Sequence, residues 1–156
     1  IGTVSASNSA SVDIEMFTSE FDDYVIECNN LVQSTGSDRN LRMRIKNTTP
    51  LGYSSTGYTF TRLDGTVVAT THYLIQENMK SGTLHIAPFS VRLYTVHAAA
   101  SHAFTSTITT KTSNVMLDAF RGSQSNQTPM LGVQFLLDSG NLASGDLRVY
   151  GVRKIS

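Results

Sequence analysis

Four histidines, His72, His85, His97 and His102, are the side chains of this chain best able to hold a metal or move a proton. None stands at the i, i+2 or i, i+4 spacing that sets two ligands side by side on one element. His97 and His102 flank an Ala-rich turn and can converge across a hairpin, but no Cys or carboxylate cluster accompanies them. Solvent-facing or cross-strand histidines are therefore expected, and no metal. The carboxylates are equally unpromising. Asp22 and Asp23 are adjacent, so on a strand they point to opposite faces. Asp13 and Glu15 share a face, but an outward one, which predicts solvated surface rather than the facing pair that glycoside hydrolysis needs. Ser and Thr abound without a Gly-x-Ser-x-Gly elbow to expose a nucleophile. Gly52, Gly57 and Gly65 lack the spacing, and the following helix, of a phosphate-cradling loop. The single cysteine excludes an intrachain disulfide. In Tyr24-Val-Ile-Glu-Cys28 it alternates onto one face with Tyr24 and Ile26, where it reads as a small buried hydrophobe. No catalytic constellation and no cofactor are expected.

Residues suited to binding are easier to find. Arg42, Arg44 and Lys46 make a basic stripe without interleaved aromatics, which reads as the wet face of a strand before it reads as a polyanion site. Six tyrosines and no tryptophan supply the polar-tipped aromatics. A long loop, 47–57, holds Tyr53 among small polar residues, and Tyr58 follows it; a second polar loop, 122–129, has no aromatic. Loops on a rigid scaffold are where binding usually resides. The candidate ligand or partner contacts are Tyr53, Tyr58, Asn47, Arg42 and Arg44. Twelve basic and twelve acidic residues cancel, so nothing electrostatic argues for nucleic acid or an anionic membrane. No apolar run approaches the roughly 18 residues that span a bilayer. The first residues lack the basic and then apolar regions of an intact signal peptide.

The elements that must position these side chains have a period of two. In Leu41-Arg-Met-Arg-Ile-Lys46 the aliphatic residues face one way and the basic ones the other, the signature of a half-buried antiparallel strand. Val12-Asp-Ile-Glu-Met16 alternates likewise with acidic outer residues, and the two strands have the charge to pair. Asp64-Gly65 is a type I′ hairpin signal between two alternating runs. Charged residues are only 15% of the chain, with Ser, Thr and Asn in their place, a balance that suits strands and turns rather than helix faces. Strands are predicted near 11–16, 23–28, 41–47, 57–63, 66–76, 83–87, 89–97, 102–110, 113–120, 130–137 and 146–153. Regularly spaced short strands with Gly turns imply an all-β, antiparallel two-sheet β-sandwich, jelly-roll-like. The expected organisation is a single domain over 11–156, preceded by residues 1–10 as an N-terminal arm or a first strand.

The C-terminal stretch Gly140-Asn-Leu-Ala-Ser-Gly-Asp-Leu-Arg-Val-Tyr-Gly151 resembles the closing strand of small β-sandwich domains in tailed-bacteriophage virion proteins. There a Gly-Asn-aliphatic-x-Ser-Gly turn leads into an aliphatic-Arg-aliphatic-Tyr-Gly strand. Phe21-Asp-Asp-Tyr-Val-Ile-Glu27, the polar loop Gln33-Ser-Thr-Gly-Ser-Asp38 and the strand Leu41-Arg-Met-Arg-Ile45 follow the same pattern. The resemblance implies a non-enzymatic structural component of a phage particle on the virion exterior, as capsid decoration, fibre or tail module. Its partners would be other virion proteins and copies of itself, often as a homotrimer. It supplies no catalytic residues to carry over. The alternative is a receptor-binding module of the same fold that takes a host-surface glycan through the 47–58 loop.

Overall fold

The computed structural model describes residues 1–47, 52–61, 65–79, 87–111 and 115–153. Among these there are thirteen strands and no helix. They form two antiparallel sheets packed as a sandwich. The larger sheet contains eight strands: β1 (Gly2–Ser9), β13 (Leu142–Val152), β3 (Asp23–Gln33), β9 (Ala87–Tyr94), β10 (His102–Lys111), β11 (Val115–Gln124), β6 (Tyr58–Thr61) and β7 (Val67–Thr70), in that spatial order. The smaller contains β2 (Ser11–Ile14), β12 (Met130–Leu137), β4 (Arg39–Asn47) and, on the far side of β4, both β5 (Gly52–Tyr53) and β8 (Tyr73–Met79).

Alternation explains the layers. Leu41, Met43 and Ile45 are fully buried, as are Val133 and Phe135 beside them, while Arg42, Arg44 and Lys46 look outward. Facing them from the large sheet are Ile26, Val91, Leu93, Phe104 and Val149. The Phe89 and Phe135 rings meet across the seam with centroids 5.4 Å apart. Cys28 lies in this core at 1% exposure, and burial pushes its thiol pKa up. Tyr73 crosses from β8 into the large sheet. Its hydroxyl donates to the Phe120 carbonyl at 2.7 Å and lies 3.2 Å from Ser106 Oγ. The ring fits there because β11 carries Gly122, where a Cβ would lie 2.4 Å from it.

Four expectations are corrected. The run 66–76 is not one strand: the chain bends at Thr71 and His72 and changes sheets, giving β7 in the large sheet and β8 in the small. β3 continues through a bulge at Asn29 and Asn30 to Gln33, and β13 begins at Leu142 with its own irregularity around Ser144. The acidic β2 and basic β4 do not pair directly; β12 lies between them. Residues 1–10, expected as an arm or a first strand, include Gly2–Ser9 as a strand on the edge of the large sheet, hydrogen-bonded to β13. The 83–87 strand and the central residues of the Asp64-Gly65 turn fall mostly outside the described residues, but β6 and β7 do pair antiparallel as that turn requires.

Candidate functional site

The sandwich opens where the chain passes from the small sheet to the large one. β5 ends at Tyr53 beside β4, residues 54–57 cross the gap, and β6 begins at Tyr58 beside β11. Side chains hold the crossing together. Between the β8 pairing, which ends at Met43, and the β5 pairing, which starts at Lys46, β4 has no strand partner on this side among the described residues. Tyr58 fills the break: its hydroxyl accepts the Ile45 N–H at 2.7 Å and donates to the Ser54 carbonyl at 3.2 Å. Ser54 N–H returns a bond to the Ile45 carbonyl at 2.8 Å. Burial pushes the Tyr58 pKa up to about 12, so the hydroxyl keeps its proton.

The loop is stitched to the end of β11 as well. Gln124 Nε2 donates to Ser54 Oγ at 3.1 Å, and Gln124 Oε1 accepts the Asn126 N–H at 3.2 Å. Ser125 N–H donates to the Gly57 carbonyl at 3.0 Å. Gly57 sits at φ +78°, and a Cβ there would come within 2.5 Å of Ser125 Oγ, so both the backbone and the contact require glycine. His102, wholly buried, anchors the following turn through Nε2, 2.6 Å from the Thr128 carbonyl.

These stitches frame an open pocket of about 400 Å³. Its walls carry three carboxamides, Asn47, Gln124 and Asn126, the hydroxyls of Ser54, Ser55, Thr56 and Ser125, and the side of Tyr53. Asn47 is 1% exposed, and its Oδ1 has no hydrogen-bond partner among the described residues.

A polar network runs along the outer face of the small sheet beside this opening. Lys46 Nζ reaches Glu15 Oε1 at 2.6 Å, and Tyr53 Oη donates to the same oxygen at 3.0 Å. The hydrogen bond from Lys46, and then that from Tyr53, holds the Glu15 carboxyl below its ordinary pKa. Burial, followed by the Glu15 bond, raises the Tyr53 pKa well above the ordinary phenol value. The Lys46–Glu15 pair spans the intervening β12 over Gly132, which has no side chain to obstruct it. Arg42 approaches Asp138 at 3.8 Å. His72 is pushed down to about 4, by burial first and then by the charges of Arg42 and Arg44.

Of the residues singled out from sequence, the structure brings Asn47 and Tyr53 together in the pocket. Tyr58 is placed beneath it at 1% exposure, so its ring cannot stack on a ligand, and its part is to hold the loop. Arg42 and Arg44 share the outward face of β4 and do not line the pocket. The histidines go separate ways: His97 Nε2 lies 2.6 Å from the Thr18 carbonyl, His72 Nδ1 is 3.0 Å from Thr71 Oγ1, and His85 lies outside the described residues. Sequence reasoning noted the 122–129 loop but did not assign Gln124, Ser125 and Asn126 to the site. Their signal was the polar composition they share with 52–56.

No protein-family model and no curated protein matches the chain. Among solved structures, it is similar to the CBM2 module of the evolved Dit of Lactobacillus casei BL23 phage J-1. The identity is 8%, over 97% of this chain and 77% of that one, with a TM-score of 0.26. A likeness at that level carries no argument about what this chain does.

Proposed function

We propose that the protein is a non-enzymatic β-sandwich module of a bacteriophage virion exterior whose pocket between 52–56 and 124–126 binds a host-surface glycan. The single observation that carries the binding part is the pocket's chemistry: carboxamides and hydroxyls beside a tyrosine, in a cleft of about 400 Å³. Sugar hydroxyls donate and accept at once, as do carboxamides and serine hydroxyls, so such walls can replace the water that a glycan sheds. The virion setting rests on the resemblance of residues 140–151 to the closing strand of phage β-sandwich domains.

Binding is preferred over assembly alone because the described surface offers little apolar area for a large interface. The exposed large hydrophobics there are Ile1, Val67, Leu131 and Tyr150. Ile1, just before β1 and bonded to the Val149 carbonyl, stands near Tyr150 of β13, a patch far short of the roughly 1,000 Å² or more that a stable interface buries. The test is adsorption of the purified protein to host cells and to their extracted surface glycans. Tyr53→Ala should lose most of the binding with the fold intact by circular dichroism. Undiminished binding would remove this pocket from consideration.

A further inference from the structure

The alternation of β4 places Leu41, Met43, Ile45 and Asn47 on the buried face of the strand. The first three are core aliphatic or thioether residues; the fourth is a carboxamide where the pattern calls for another. A buried carboxamide in a finished core is ordinarily satisfied on both sides. Gln124, equally buried and on the same pocket, is: its nitrogen goes to Ser54 and its oxygen to Asn126. Asn47 differs, because among the described residues no donor meets its Oδ1; the same holds for Oε1 of the core residue Gln76, but of the two only Asn47 lines the pocket. A fold-stabilising role would favour Leu or Val at that position, so the asparagine is held there against stability.

We propose that Asn47 is the residue that reads the ligand at the base of the pocket, and that the ligand is an uncharged sugar presenting a hydroxyl or acetamido N–H to it. This deepens the glycan reading above and rests on it. The terminal torsion of an asparagine is soft, so the carboxamide turns its oxygen toward a donor resting on the pocket floor. The described lining is neutral. The charges beside Tyr53 are Lys46 and Glu15, engaged with each other and with the Tyr53 hydroxyl, and Asp13, which accepts from Gln134. A carboxylate or phosphate in this pocket would set a second acceptor beside Oδ1 with no cation in the lining to compensate. A sugar hydroxyl supplies the missing donor and has lone pairs left for the serine and threonine hydroxyls around the mouth.

The experiment uses the full chain. An immobilised panel carries neutral oligosaccharides built from hexoses, deoxyhexoses and N-acetylhexosamines, together with sialylated and uronate-containing counterparts. Hits are followed by calorimetric titration. The expected result is binding confined to neutral members. Asn47→Leu should weaken it by more than about tenfold, the effect of deleting one buried hydrogen bond that a site is built to make. Its melting temperature should equal or exceed that of the native chain, which a purely structural asparagine would not allow. Ser55→Trp, at an exposed position on the rim, should block the same ligands without touching the core. Asn47→Leu that melts markedly lower or fails to fold makes Asn47 structural and overturns the proposal, as does full binding by that variant. Binding by the native chain to acidic glycans alone overturns the neutral class while sparing the glycan reading. Binding to no member of the panel fails that reading itself, and this proposal with it.

Discussion

Tyr58→Phe removes one oxygen from the gap between the β8 and β5 pairings of β4, and the consequence follows atom by atom. The native hydroxyl accepts from Ile45 N–H and donates to the Ser54 carbonyl. The phenylalanine ring occupies the same buried slot, so little cavity opens. What is lost is the partner of the Ile45 N–H, whose residue is wholly buried. Leaving a buried donor unsatisfied costs about 1–3 kcal/mol. The Ser54 carbonyl sits on a half-buried residue and recovers part of its bond from water, adding a few tenths. The sum is about 2 kcal/mol, which for a domain of this size lowers the melting temperature by roughly 4–8 °C. Because the same oxygen ties the crossing loop to β4, the pocket loses preorganisation, and ligand affinity should fall along with stability. Urea unfolding followed by circular dichroism and tyrosine fluorescence gives the first number; titration with a bound sugar gives the second. A variant within 0.5 kcal/mol of the native chain, with unchanged affinity, would refute the account of Tyr58 as the strut of this site.

Two further outcomes follow from buried groups. His102 is fully buried with its pKa lowered by desolvation, and the half-buried His72 is lowered to about 4. Between those folded values and the unfolded value near 6.5 the unfolded chain binds protons that the native chain does not. Stability should therefore fall as pH drops below about 6.5, by up to about 1.4 kcal/mol per pH unit for His102 and less for the screened His72. Urea midpoints at pH 7.5 and 5.5 read this directly, and His102→Gln should flatten the slope; a midpoint constant over that range would contradict it. Gly132→Ala would put a Cβ 2.2 Å from the Ile14 carbonyl oxygen on the neighbouring strand. The strand must move, at a cost of about 1–3 kcal/mol. An unaltered melting curve would show that β2 yields more easily than the packing implies.

What could be read from the sequence was whatever is local. β4 is legible because its alternation is strict, and Cys28 because its neighbours on one face are Tyr24 and Ile26. The two-sheet sandwich followed from strand count and turn chemistry. Sheet membership did not, because it is decided by which strand lies alongside. The alternation in 66–76 is continuous enough to suggest one strand, yet the bend at Thr71 and His72 sends its halves to different sheets. Pairing of β2 with β4 was a sound electrostatic guess that missed β12. The attraction it invoked survives as the Lys46–Glu15 bridge, which spans β12 at Gly132. At the candidate site, Tyr53 and Asn47 were singled out through a polar loop holding an aromatic, and both line the pocket. The opposite wall was not, since residues 124–126 lie about seventy positions away and nothing local announces the meeting.

The position of the pocket has a reason deeper than loop composition. A sandwich satisfies its backbone through ladders, and a ladder must break wherever the chain leaves one sheet for the other. The passage from β5 to β6 is such a break, and three side chains repair it: Tyr58 covers the Ile45 N–H, Ser54 bridges to β11, and Gln124 secures the far side. Each repair requires a polar group at the lip of an otherwise apolar core, so the corner becomes rigid and polar together. Rigidity is what a binding site needs to avoid spending affinity on ordering itself. The repairs account for Tyr58, Ser54 and Gln124. They do not account for Asn47, whose Oδ1 meets no donor among the described residues, and that difference is what the proposed ligand contact would explain.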